Sequence, residues 1–192
     1  MFQIQNICTQ AVSTILCTGL IVGLSTTAQA GSAGATVNFA ATLVGGSCQV
    51  AVDRTTIPFE PVPSSAVIGA GINGIDPQLV TLTFSGCSGW GLIPKIQVSG
   101  NTFIAGIPLF RNADSASDYS QGYGVKLVQQ GQSTALASQD KVILGTADTQ
   151  LSTLNSQSLT FEARLSCGSC TAGPGLHGGN LNATVTFRFL YE

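Results

Sequence analysis

Charge is scarce in this chain. Lys, Arg, Asp and Glu make up 8% of its 192 residues, against roughly 25% in ordinary domains. The seven Lys and Arg are scattered. They cannot form the clustered basic face that nucleic acid requires, and no basic amphipathic helix for a membrane surface is present. The surface must be largely Ser, Thr, Asn, Gln and Gly. Histidine is nearly absent too, with His177 the single example. A Ser-His-Asp arrangement would have to use it on the glycine-rich turn Gly173–Gly179, where a solvated loop histidine is the simpler reading. No G-x-S-x-G elbow and no phosphate-cradling glycine loop occurs. A zinc site built from Cys167, Cys170 and His177 lacks a fourth ligand. The expectation is therefore no enzyme, no metal and no cofactor.

What is present begins with a leader. Residues 1–30 hold an apolar stretch from Ala11 to Leu24, followed by Ala28-Gln29-Ala30. A short apolar core before a small-x-small motif is the pattern of a secretory signal peptide. The stretch is shorter than the roughly 20 residues a membrane span needs, and Gly19 and Gly23 interrupt it. The segment departs from pattern in having no Lys or Arg. Cys17 does not suit a lipid anchor, because Leu16 before it is too bulky for the usual lipoprotein cut. Cleavage is expected after Ala30, with no membrane insertion of the mature chain. Six cysteines are encoded, and Cys48, Cys87, Cys167 and Cys170 survive that cut. An even number in an exported chain points to disulfides.

No long 3.6-residue periodicity follows residue 30. Short alternating or β-branched runs recur, separated by Gly, Pro, Asn and Ser. They are "ATVNFAATL" from Ala35, "SCQVAVD" from Ser47, "QLVTLTFSGC" from Gln78, "PKIQVSG", "GIPLF", "GYGVKLVQQGQ", "KVILG", "SLTFEARLSC" and "LNATVTFRFLYE". About eight short strands with turns between them read as an all-β sandwich. "PFEPVPSSAVIGAGINGIDP" is too irregular to be core strand throughout. The last run is the most regular: Leu181, Ala183, Val185, Phe187, Phe189 and Tyr191 share one face, with Leu190 the only intruder opposite. Burying such a row, at about 1.5–3 kcal/mol per side chain, predicts that the chain ends within a sheet. Asn182–Thr184 matches a glycosylation sequon, but its place in this run makes it sheet.

The first run is harder to place. Ala35, Val37, Phe39, Ala41 and Leu43 line one side of it, yet it lies beside the expected new N-terminus, where chains usually fray. Periodicity leaves two readings open. The segment can return through Gly45-Gly46 and pair with its own domain, or it can complete another molecule.

Several of these pieces together resemble one family, the pilins of the chaperone–usher pathway, especially type 1-like subunits. "VNFAATLVGGSCQVAVD" resembles the family's N-terminal extension and first strand, and "LTFSGCSG" the strand carrying the partner cysteine. "GYGVKLVQQGQ" resembles the family's G-x-G-[IV]-x-L strand, "LTFEARL" its F-x-A-R strand, and "GNLNATVTFRFLY" its closing strand with a penultimate tyrosine, here Tyr191. The resemblance covers nearly all of the chain after the leader.

It implies an incomplete immunoglobulin-like β-sandwich completed by donor-strand complementation. On that basis residues 1–30 are the signal peptide, 31–44 the donor extension and 45–192 the pilin domain. The donor teeth are Ala35, Val37, Phe39, Ala41 and Leu43. The acceptor groove lies along the last strand, at Leu181, Ala183, Val185, Phe187, Phe189 and Tyr191. Ala41 stands near where the family usually has glycine. Spacing and family together pair Cys48 with Cys87. The implied partners are a periplasmic chaperone, whose basic anchor would meet the chain terminus, an outer-membrane usher and neighbouring pilins in a head-to-tail polymer. The implied location is a surface fimbria that supports adhesion.

"CGSC", Cys167–Cys170, is unexpected in that family. Its spacing is that of redox motifs, but those sit at a helix N-terminus, and no helix is in prospect here. A local structural disulfide is expected. A glycan-binding tip adhesin is the alternative function, although such proteins carry a second domain for which this chain has no room.

Overall fold

The computed structural model of the chain describes residues 45–113 and 118–192, together with Ala40. The expected signal peptide, and the donor teeth Ala35, Val37, Phe39, Ala41 and Leu43, lie outside the described residues.

Alternation becomes strand wherever it persists. β2 (Ile75–Gly89) and β8 (Ser158–Ser166) are the long central pair. Val80, Leu82 and Phe84 of β2 and Phe161, Ala163 and Leu165 of β8 are buried at every second position. The opposite positions are polar: Thr81 pairs with Thr160, and Thr83 with Ser158. β1 (Gly46–Val52) and β6 (Gly124–Gln129) flank this pair, and β5 (Pro108–Phe110) and β4 (Thr102–Ile104) extend it. The resulting order is β1-β2-β8-β6-β5-β4. A second sheet has the order β7-β3-β9, built from β7 (Lys141–Ile143), β3 (Pro94–Ser99) and β9 (Thr186–Tyr191). Every strand pairing is antiparallel. The sheets pack face to face as a sandwich of the immunoglobulin-like kind.

The core lies between the layers. Ile96 and Val98 of β3 are fully buried, as are Phe110, Leu151 and Phe161. Phe161 and Phe187 meet across the layers with ring centroids 4.8 Å apart, and Phe84 meets Phe189 edge-on at 6.4 Å. β4 is one strand more than the sequence signalled. The Pro- and Gly-rich passage contains one short helix, α1 (Ser64–Ala70), which buries only Val67.

Two disulfides are present, Cys48–Cys87 and Cys167–Cys170. The first ties β1 to β2 where the ladder slips register between Ser47 and Gln49. The Asn155 side chain holds the same spot. It accepts from the Cys87 N–H at 2.8 Å and donates to the Cys87 carbonyl at 3.1 Å. The second bridge belongs to a small satellite core with Val67 and Tyr123, against which Ile68 and Leu176 pack. It anchors α1 to the end of β8.

The last strand is shorter than its pattern. Leu181–Tyr191 alternates throughout, but only Thr186–Tyr191 is strand. Leu181, Ala183 and Val185 lie in a lead-in with no strand paired to it among the described residues. β3 ends at Ser99, opposite Thr186, so the ladder runs out. Asn112 substitutes for it: its backbone N–H donates to the Asn182 carbonyl at 2.8 Å, and its side-chain oxygen accepts from the Thr184 N–H at 3.0 Å. Asn182 is therefore exposed ahead of the strand and not within it.

The Cys48–Cys87 bridge closes a 39-residue separation. Replacing both cysteines with alanine should lower the unfolding free energy by about 4 kcal/mol in the chain-entropy model, read from urea unfolding of the oxidised protein and the variant.

Candidate functional site: an open groove beside the last strand

β9 has a strand neighbour on one side only among the described residues. Its other side borders a groove of about 500 Å³. One wall is the alternating row Leu181, Ala183, Val185 and Phe187, and the other is Val52, Ile57 and Phe59. Val80, Val125, Leu127 and Ala163 of the larger sheet line the same groove. It is apolar because both rows turn their apolar members inward. Ile57 and Phe59 are half-buried while Pro58 and Glu60 between them are exposed.

Local chemistry explains each wall. Asp53 continues the pairing of β1 one step beyond its end: its backbone N–H donates to the Thr81 carbonyl, and its side chain accepts from the Thr81 N–H, both at 3.0 Å. Arg54 donates to the Leu79 carbonyl. The chain then leaves the sheet as an extended arm, and Pro58 has no N–H with which to join a ladder. On the facing wall, Leu181, Ala183, Val185, Phe187, Phe189 and Tyr191 are all half-buried, alternating with exposed Asn182, Thr184, Thr186 and Arg188. Leu181, Ala183, Val185, Phe187 and Phe189 pack against the core, yet none of them is fully buried. A closing strand of a complete sandwich would bury that row fully.

The two ends of the groove differ. Ile93 and Glu192 exchange backbone hydrogen bonds at 2.8 and 3.3 Å, fixing the end of β9 beside the β2–β3 loop. Gly46 pairs with Gly89 in the same loop. Gly89 has φ +117° and leaves no room for a Cβ against Gly45 and Gly46, so the root of β1 lies flat there. β1 and β9 therefore run in opposite directions along the groove. Gly46 and Glu192 share one end of the domain, and Leu181, Ile57 and Phe59 mark the other. At that second end the groove adjoins another cavity, of about 570 Å³, which shares Ile57, Phe59 and Leu181 with it and reaches Pro61, Ser64 and Asn180.

The end of β9 is clamped by charge. The Glu192 carboxylate binds Lys141 of β7 at 2.5 Å and Lys95 of β3 at 2.7 Å. Hydrogen bonds from Lys141 and then Lys95, reinforced by their charges, hold this exposed carboxyl down to about 2, from an ordinary 4.5.

Among the described residues, no group of three or more His, Cys, Asp or Glu gathers to hold a metal ion. Likewise, no helix there is long and apolar enough to cross a membrane. Exposed His177 exchanges backbone hydrogen bonds with Gln121. Cys167 is 1% exposed, bonded to Cys170, and followed by a loop. A redox dithiol instead needs an accessible sulfur at a helix start.

Of the row expected along the last strand, Leu181, Ala183, Val185 and Phe187 line this groove, and Phe189 and Tyr191 do not. The other wall, Val52, Ile57 and Phe59, was missed. Its signal was the alternation within "TIPFE", which the prolines obscured.

A protein-family model described as fimbrial protein matches residues 37–192. No curated protein matches the chain.

Because folding lowers the Glu192 pKa, the clamp stabilises fully above pH 4.5 and loses its contribution as pH falls toward 2. Carboxyl titration by NMR should place the Glu192 midpoint near 2. In Glu192→Gln, the stability difference from wild type should be present at neutral pH and vanish at the acid end.

Proposed function

We propose that this chain, which belongs to the fimbrial protein family, is a structural pilin whose groove takes the N-terminal extension of a neighbouring subunit. Family membership makes it a fimbrial subunit that assembles with other pilin subunits and implies a place in a surface pilus. Donor-strand exchange is the finer reading. One observation carries it: a regular row of apolar teeth, Leu181 to Phe189, stands half-buried beside a β9 edge with no strand neighbour among the described residues.

Spacing supports the match. The extension offers Ala35, Val37, Phe39, Ala41 and Leu43, and the wall offers Leu181, Ala183, Val185 and Phe187. Both rows have the period of a strand. An inserted strand would take up the free N–H and C=O groups of β9 while its teeth fill the groove.

Direction separates donation from self-completion. Gly45 lies at the Glu192 end of the groove. A segment turning back through Gly45 into its own groove would have to run parallel to β9. A segment from another molecule is free to run antiparallel, as every pair of neighbouring strands among the described residues does and as backbone geometry slightly favours. Such contacts are heterologous and do not close, so repetition gives a filament. Before assembly the open groove needs a temporary occupant, for it is an apolar sheet edge prone to aggregation. A periplasmic chaperone strand, handed on at an outer-membrane usher, fits that need. Adhesion would be a property of the finished fibre.

Two changes test this. A mature chain lacking Gly31–Leu43 should still accept a donor strand but fail to enter a neighbour's groove, so its polymer yield should collapse. Phe39→Asp should act likewise on the donor side, because burying an unpaired carboxylate costs several kcal/mol. Electron microscopy and SDS-resistant laddering read both variants, and normal fibres from either would contradict donation.

A further inference from the structure

We infer that Trp90 of one copy of this chain docks into the cavity at the receiving end of the next copy's groove. The inference rests on the donation reading and adds a second, body-to-body contact to it. Trp90 is the only tryptophan in the chain and is 69% exposed. It is not loose: its indole N–H donates to the Asp148 carbonyl at 3.2 Å. A large aromatic ring held in water by one hydrogen bond has much to gain from burial at an interface.

Its position says which interface. Trp90 follows Gly89, the partner of Gly46, and Leu92 fills the space beside Gly45. Trp90 therefore stands at the root of the donor extension. The last tooth, Leu43, is three residues from Gly46, a reach of at most about 10 Å. A donor strand antiparallel to β9 carries Leu43 to the Leu181 end of the acceptor groove. With so short a tether, the donor's body must come down on that end of its neighbour.

What waits there is the cavity of about 570 Å³, rimmed by Pro58, Pro61, Val62 and Gly178. Pro58, Phe59, Pro61, Val62 and Leu181 give it apolar walls that suit an indole ring, with Glu60, Ser64 and Asn180 among its polar lining. The second copy is the occupant because the short tether brings Trp90, beside Gly46, to this end of the neighbour. The contact would make the joint between subunits stiffer than a strand hinged on Val44–Gly45 alone.

Fluorescence tests it without a label, since the signal has one source. Polymer grown from the mature chain is compared with a subunit whose groove holds a synthetic peptide of the sequence Ala35–Leu43. Acrylamide quenching should fall several-fold, with a blue shift, in the polymer only. In Trp90→Ala, polymer should still form but dissociate in urea at least tenfold faster, while the peptide-filled subunit unfolds as the wild type does. Polymer whose Trp90 is quenched like the monomer's, or whose Trp90→Ala form dissociates at the wild-type rate, overturns the docking and leaves donation standing. A chain that takes the peptide but never polymerises overturns both.

Discussion

One face of β9 governs this molecule. Phe187 stacks on Phe161 and Phe189 meets Phe84, so the strand is committed to the core. Yet the row from Leu181 to Phe189 is only half-buried, and among the described residues β9 has a strand neighbour on one side only. Apolar side chains gain roughly 25 cal/mol for each Å² removed from water, and a half-covered row forgoes much of that gain. The remainder is available to whatever strand closes the groove. A sandwich missing cover along one edge stores its association energy in its own unfinished core.

The rest of the structure keeps that edge open without letting the domain fall apart. The Cys48–Cys87 bridge secures β1, an end strand with β2 as its one partner, and Asn155 fixes Cys87 on the β2 side. Glu192, through Lys95 and Lys141, pins β9 to the two other strands of its small sheet. Asn112 supplies the hydrogen bonds that the lead-in to β9 would take from a longer β3. Cys167–Cys170 ties α1 to β8 beside the cavity at the receiving end. Each device braces one border of the groove, and none fills it.

Much of this was legible in the sequence, and the limits have physical causes. Strict alternation in Leu79–Phe84, Pro94–Ser99 and Leu159–Leu165 marked the core strands, because each has one face in the core and one in water. The two cysteine pairs were expected from the even count after residue 30 and from spacing, with the family resemblance needed to join Cys48 to Cys87. Alternation reports which side chains face inward, not whether a neighbour exists. Leu181–Val185 therefore reads as strand although no ladder reaches it. The wall at Ile57 and Phe59 alternates, but Pro58 and Pro61 signal loop more strongly than the alternation signals burial. Trp90 carried no sequence signal, since only its position beside Gly46 gives its exposure meaning.

The central claim is that the domain is incomplete and another strand finishes it. Thermal unfolding of the mature subunit, alone and with increasing peptide of sequence Ala35–Leu43, tests it directly. The account predicts a weakly stable lone subunit whose melting temperature climbs with peptide concentration, as for any ligand that binds only the folded form. A lone subunit that melts cooperatively at high temperature and ignores the peptide would contradict it.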